Sequence, residues 1–149
     1  MNFWEYLDER AKMAKKEGKG FILQGDLNAW LGSDLIPNDP HKQNKNGKMF
    51  ETFLSENNLV CVNSLPLTKG LITRSRNVAG VIQKSVVDFY IVCELVLPFI
   101  SQMKIDSDKK HLLTNYKPAL LDLKVCDSDH MVLSMDLNLK GVFKKVNKI

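Results

Sequence analysis

Residues 85–93 read Ser-Val-Val-Asp-Phe-Tyr-Ile-Val-Cys, a run of β-branched and aromatic residues broken only by Asp88. A strand with apolar side chains on both faces belongs inside a layered structure. A carboxylate within it is costly to bury unless it is paired. The flanking sequence supplies material for the layers. Residues 3–17 carry Phe3, Leu7, Ala11 and Ala14 at helical spacing, ahead of Gly18 and Gly20. Met49, Phe50, Phe53 and Leu54 mark a second helix that ends near Asn57 and Asn58. Residues 21–23 and 59–62 read as short strands, and residues 29–47 as loop. Met131, Leu133, Met135, Leu137 and Leu139 alternate with Val132, Ser134, Asp136 and Asn138, the period of a half-buried strand. Further strands are expected near 71–74, 103–105 and 119–125. Two helices among six or seven strands define an α+β layered domain, taken as one unit over residues 1–149.

Composition excludes several classes. With 149 residues, 44% hydrophobic and 26% charged, the chain is an ordinary globular protein rather than a disordered, collagenous or coiled-coil one. Its longest apolar run, residues 89–100, is interrupted by Glu94 and falls short of the roughly 20 residues that cross a bilayer. Glu5, Asp8 and Glu9 stand where a secretory signal would be basic and then apolar. Cys61, Cys93 and Cys126 lack metal-ligand spacing, so reduced thiols in an intracellular protein are expected. A net charge of +4 permits a polyanion as partner without requiring one.

Three places hold polar residues that the apolar pattern does not predict. Gly25-Asp26-Leu27-Asn28 follows a buried strand, Asp88 lies within the most hydrophobic strand, and Ser128-Asp129-His130 precedes the alternating one. Singly each has a plain structural explanation: a turn aspartate, a buried acid satisfied by backbone donors, a loop. Jointly they supply three carboxylates, an amide and an imidazole. Metal-assisted hydrolysis of a phosphodiester uses that inventory: hard oxygen ligands for the ion, a group that orients water, and donors for charge developing on phosphorus. Asp88 fits there as the acceptor that fixes the tautomer of His130.

These three motifs, in this order, resemble the endonuclease/exonuclease/phosphatase superfamily, which includes apurinic endonucleases and DNase I-like enzymes. Gly25-Asp26-Leu27-Asn28-Ala29-Trp30-Leu31-Gly32, Asn46-Gly47, Asn58-Leu59 with Val62-Asn63, and the basic stretch before Ser85 are similar to endonuclease domains of non-LTR retrotransposons. The resemblance covers residues 20–140. It implies a Mg²⁺-dependent DNA endonuclease, with Mn²⁺ as a substitute, acting in the nucleus. By position, it makes Asp26 the residue that orients or deprotonates the attacking water and Asn28 a ligand of the scissile phosphate. Asp129 would hold the metal. His130 would contact the phosphate, oriented by Asp88. Trp30 would line the substrate groove or else cover the core, Asn63 and Thr73 are read as structural, and His41 and His111 as surface histidines.

The superfamily fold is a two-layer β-sandwich of two similar halves, and the resemblance here is to the second half alone. The first half contributes an early Asn and the Glu that is the principal metal ligand. The chain is therefore expected to be short of one metal-binding carboxylate and to have negligible nuclease activity by itself. The alternative is a non-catalytic remnant that retains the fold and binds phosphate or nucleic acid. A third possibility is a phosphodiesterase or phosphatase acting on lipids or inositol phosphates. The inner face, with Val87, Phe89 and Ile91 or Val86, Tyr90 and Val92, plus Met131, Leu133, Met135 and Leu137, would stand bare. At about 25 cal/mol per Å², several hundred Å² of such surface cost roughly 10 kcal/mol. A two-fold homodimer, sheet against sheet, is the expected cover.

Overall fold

The computed structural model describes residues 1–107 and 129–140. The strand expected over 119–125, His111 and Cys126 lie outside the described residues. Helix α1 (Phe3–Lys16) opens with a capping box, in which the Asn2 side chain accepts from the Glu5 amide and the Glu5 carboxylate accepts from the Asn2 amide. Lys15 and Lys16 sit in its last turn, where the helix dipole favours positive charge. Strand β1 (Ile22–Asp26) follows. Helix α2 (Lys45–Glu56) takes the last three residues of the expected loop, because the Asn44 side chain caps it. Then come β2 (Leu59–Cys61), β3 (Thr68–Lys69), β4 (Arg74–Val78), β5 (Val81–Ser85), β6 (Asp88–Cys93), β7 (Ile100–Ile105) and β8 (Leu133–Leu137).

The strand expected over 85–93 begins only at Asp88, and Ser85 ends a different strand. Residues 85–93 do not run continuously: β5 pairs with β4 in a hairpin, and β6 is the middle strand of a separate antiparallel sheet ordered β1-β6-β2. Val86 and Val87 make the switch. The strand expected near 71–74 begins only at Arg74 and belongs to that hairpin. A third sheet, β3-β7-β8, has β3 parallel and β8 antiparallel to β7.

Alternation along β6 explains the layering. Phe89 and Ile91 enter a core with Leu7 and Ala11 of α1 and Phe50 and Phe53 of α2, while Tyr90 and Val92 enter a second core with Ile100, Met103, Ile105 and Met131. Helices cover one face of the central sheet and the β7–β8 sheet covers the other. The bare inner face is thus corrected: Leu133 and Met135 pack against the second core, and of the four residues expected there Leu137 alone is exposed. Sheet does meet sheet, but within one chain. The apolar-area argument for a homodimer loses its surface.

Candidate active site

Asp26 is the last residue of β1 and Asp88 the first of β6, and the two are register partners. Side chains of directly opposed antiparallel residues share a face, so the two carboxylates stand side by side at the sheet end. The third motif arrives by a short pairing beside β4. The Ser75 amide donates to the Asp129 carbonyl and the Met131 amide to the Thr73 carbonyl, both at 2.8 Å, with Arg74 and His130 as bridge partners. This brings His130 Nδ1 to 2.8 Å from Asp88 Oδ2. A carboxylate only accepts, so Nδ1 carries a hydrogen and Nε2 faces outward. Nε2 lies 3.8 Å from Asp26 Oδ2 and 3.6 Å from Asp129 Oδ1. Exposure rises outward through the cluster, from 15% at the Asp88 side chain to 43% at Asp26.

Two buried side chains hold Asp88 in place. Thr73 Oγ1 accepts from the amides of Val87 and Asp88, at 2.9 and 3.1 Å, where the chain passes from hairpin to sheet. On the other side the Asn63 side chain donates to the Asp88 carbonyl and accepts from the Tyr90 amide, both at 3.0 Å. Beyond Cys61 strand β2 has turned away, and the Asn63 amide takes its place in the ladder. The structural reading of both residues agrees with these contacts.

The Asp26 loop is fixed separately. Asn28 has φ of 49°, a left-handed conformation that Asn tolerates, and its amide donates to Asp26 Oδ1 at 2.8 Å. Its exposed side chain makes none of the cluster's hydrogen bonds, so Asn28 borders the group through its backbone. Asn44 Oδ1 accepts from the amides of both Gly47 and Trp30, tying the loop to the start of α2. A Cβ on Gly47 would lie 1.9 Å from the Trp30 carbonyl oxygen, so only glycine allows this approach. Trp30 stacks on His41 with ring centroids 3.9 Å apart, and His41 Nε2 lies 3.0 Å from the Lys84 carbonyl oxygen. His41 is thereby half-buried rather than a plain surface residue.

The motifs do not announce Arg74. Its Nε donates to Asp129 Oδ2 at 3.0 Å, across 55 positions of sequence. That bond above all holds the Asp129 carboxyl below its ordinary pKa, with the nearby Arg74 and His130 charges adding to it. An arginine after the apolar pair Leu71-Ile72, at the mouth of a strand, is the one sequence signal it leaves. Asp26, Asp88 and His130 each offer a ligand atom, all within 4.8 Å of one another. Carboxylate oxygens of this kind suit a hard divalent cation. Asp129, expected at the metal, is tied instead through one oxygen to Arg74.

Among solved structures, this fold is similar to the endonuclease domain of TRAS1, a telomere-specific non-LTR retrotransposon. The TM-score is 0.60 at 21% identity, over 91% of this chain and 52% of the other. The chain therefore spans about half the length of the structure it matches, and the likeness is one of fold. No protein-family model and no curated protein matches the sequence.

Proposed function

We propose that this chain carries the hydrolytic cluster of a divalent-metal-dependent DNA endonuclease of the retrotransposon type. The observation that carries the reading is Asp88 bonded to His130 Nδ1 while Nε2 turns toward Asp26 at an open strand end. Openness suits a polymer, whose scissile phosphate must reach the cluster from outside. In this reading Asp26 orients the attacking water and takes its proton, and His130 Nε2 meets the phosphate oxygens while Asp88 fixes the ring. Asn28 borders the phosphate. Asp26, with Asp129 if it leaves Arg74, would hold Mg²⁺ or Mn²⁺. When bound, that ion supplies positive charge to the phosphoryl oxygens. The chain spans about half the length of the structure it matches, and if a further carboxylate ligand lies in the other half of such a fold, nicking by the chain alone is expected to be slow.

One observation favours a second reading, a non-catalytic chain that binds phosphate or nucleic acid: the Arg74–Asp129 pair occupies a carboxylate that catalysis would want free. Mn²⁺ titration followed by NMR separates the two. Selective, EDTA-reversible broadening at Asp26, Asp88 and His130, abolished by Asp26→Ala, supports the nuclease. No selective broadening at millimolar Mn²⁺ overturns it. Nicking of supercoiled plasmid that requires Mg²⁺ and disappears in His130→Ala would support it from the side of activity.

A further inference from the structure

Arg74 stands opposite His130 in the short pairing at the root of the hairpin, so its side chain shares a face with the imidazole. Its Nε is spent on Asp129, and its terminal amino groups have no hydrogen-bond partner among the described residues. The side chain is 25% exposed, so its distal end reaches water. A partly exposed ion pair contributes modestly to folding, so the bond does more to orient the guanidinium than to hold the chain together. The electrostatics point the same way. Asp26 and Asp129 flank His130 Nε2 while Asp88 bonds Nδ1, and a phosphodiester approaching these carboxylates is itself an anion. Among the five side chains of this cluster, Arg74 alone is a cation whatever the pH.

We propose that Arg74 binds a phosphate of the nucleic-acid backbone beside His130, and that Asp129 serves to hold the guanidinium in orientation. This rests on reading the cluster as a nucleic-acid phosphodiester site, but not on hydrolysis. A guanidinium with a free planar edge matches phosphate oxygens in pairs, and one anchored at Nε has already lost the rotamers that binding would otherwise freeze. Binding by this residue needs no metal.

The test is fluorescence anisotropy of the full chain with a fluorescein-labelled DNA duplex in EDTA, over a series of salt concentrations. Arg74→Gln is expected to weaken binding about tenfold and to flatten the dependence of log affinity on log salt by about one. Asp129→Asn keeps an oxygen acceptor for Nε and removes a negative charge, so affinity holds or rises. The double variant should match Arg74→Gln. Arg74→Lys, which keeps the charge and guards against a folding defect in the glutamine variant, should retain the salt slope. Equal losses in Arg74→Gln and Asp129→Asn, or an unchanged slope in Arg74→Gln, would make Arg74 a structural partner of Asp129 and overturn the proposal. So would undetectable binding by the wild type. Wild-type binding in EDTA without Mg²⁺-dependent nicking would leave Arg74's role standing and remove only the hydrolysis.

Discussion

Strands β5 and β6 are separated by only two residues and end in opposite surroundings. In β5, Val81 and Ile82 are 62% and 64% exposed, whereas Phe89, Ile91 and Val92 of β6 are fully buried. β6 is held by two cores. β5 is held by its hydrogen bonds to β4 and by a two-residue Ala79-Gly80 turn with both φ positive, its Gly80 amide bonded to the Asn77 side chain. A β-branched residue is thus no guide to burial by itself. What separates the strands is the pair Val86-Val87, where the chain changes sheets and Thr73 fixes the turn-off. The candidate site sits at that junction, resting on the buried strand and laced to β4, the hairpin partner of the exposed one.

The largest effect that can test this contrast is Phe89→Ala. It removes a fully buried ring packed edge-on against Phe50, at 5.0 Å between centroids, and should cost about 3–5 kcal/mol in urea unfolding. A loss near that of an exposed position would mean that β6 is not where the two cores meet. Next comes Thr73→Val, which keeps the shape but leaves the amides of Val87 and Asp88 without their acceptor. We expect about 2–3 kcal/mol, together with a shifted imidazole resonance for His130. Stability lost with the His130 signal unmoved would show that Thr73 supports the sheet and not the site.

A smaller and local effect is expected in acid. The Arg74 bond lowers the Asp129 pKa in the folded chain, so its stabilising contribution is present above the ordinary carboxylate range. It is lost as pH falls through that depressed value. Amide exchange at Ser75 and Met131, which lace residues 129–131 to the hairpin root, should therefore accelerate in acid relative to β6, beyond the intrinsic pH dependence. Arg74→Gln should move the onset to higher pH. The smallest effect belongs to Ile82→Thr on the exposed hairpin, expected within about 0.5 kcal/mol. A larger loss would reveal a hidden packing partner for the hairpin.

What was legible in the sequence follows the range of the interactions. The helical spacing of Leu7 and Ala11, that of Phe50 and Phe53, and the strand leading into Asp26 are local patterns, and each appears in place. The Asp88–His130 bond spans 42 positions, yet was readable because a carboxylate in an apolar strand demands a partner. Arg74–Asp129 was not, since both are ordinary polar residues at strand ends and nothing local requires their meeting. The hairpin was missed because Ala-Gly lacks the Asn-Gly or Asp-Gly signature of such turns. The bare face was mistaken because the sequence shows that residues are apolar but not that two of its own sheets meet.

The Asn63 amide has a consequence for how this chain behaves in a crowd. Where β2 departs, the middle strand would otherwise present the Asp88 carbonyl and the Tyr90 amide as an unfinished rung, a template onto which an extended segment of another molecule can add. A carboxamide offers one donor and one acceptor in nearly peptide geometry, so a single side chain closes the rung without continuing it. Asn63→Asp would put oxygen against oxygen at Asp88 and reopen it. The residue that steadies the site from below is also the stopper that keeps the strand from recruiting its neighbours.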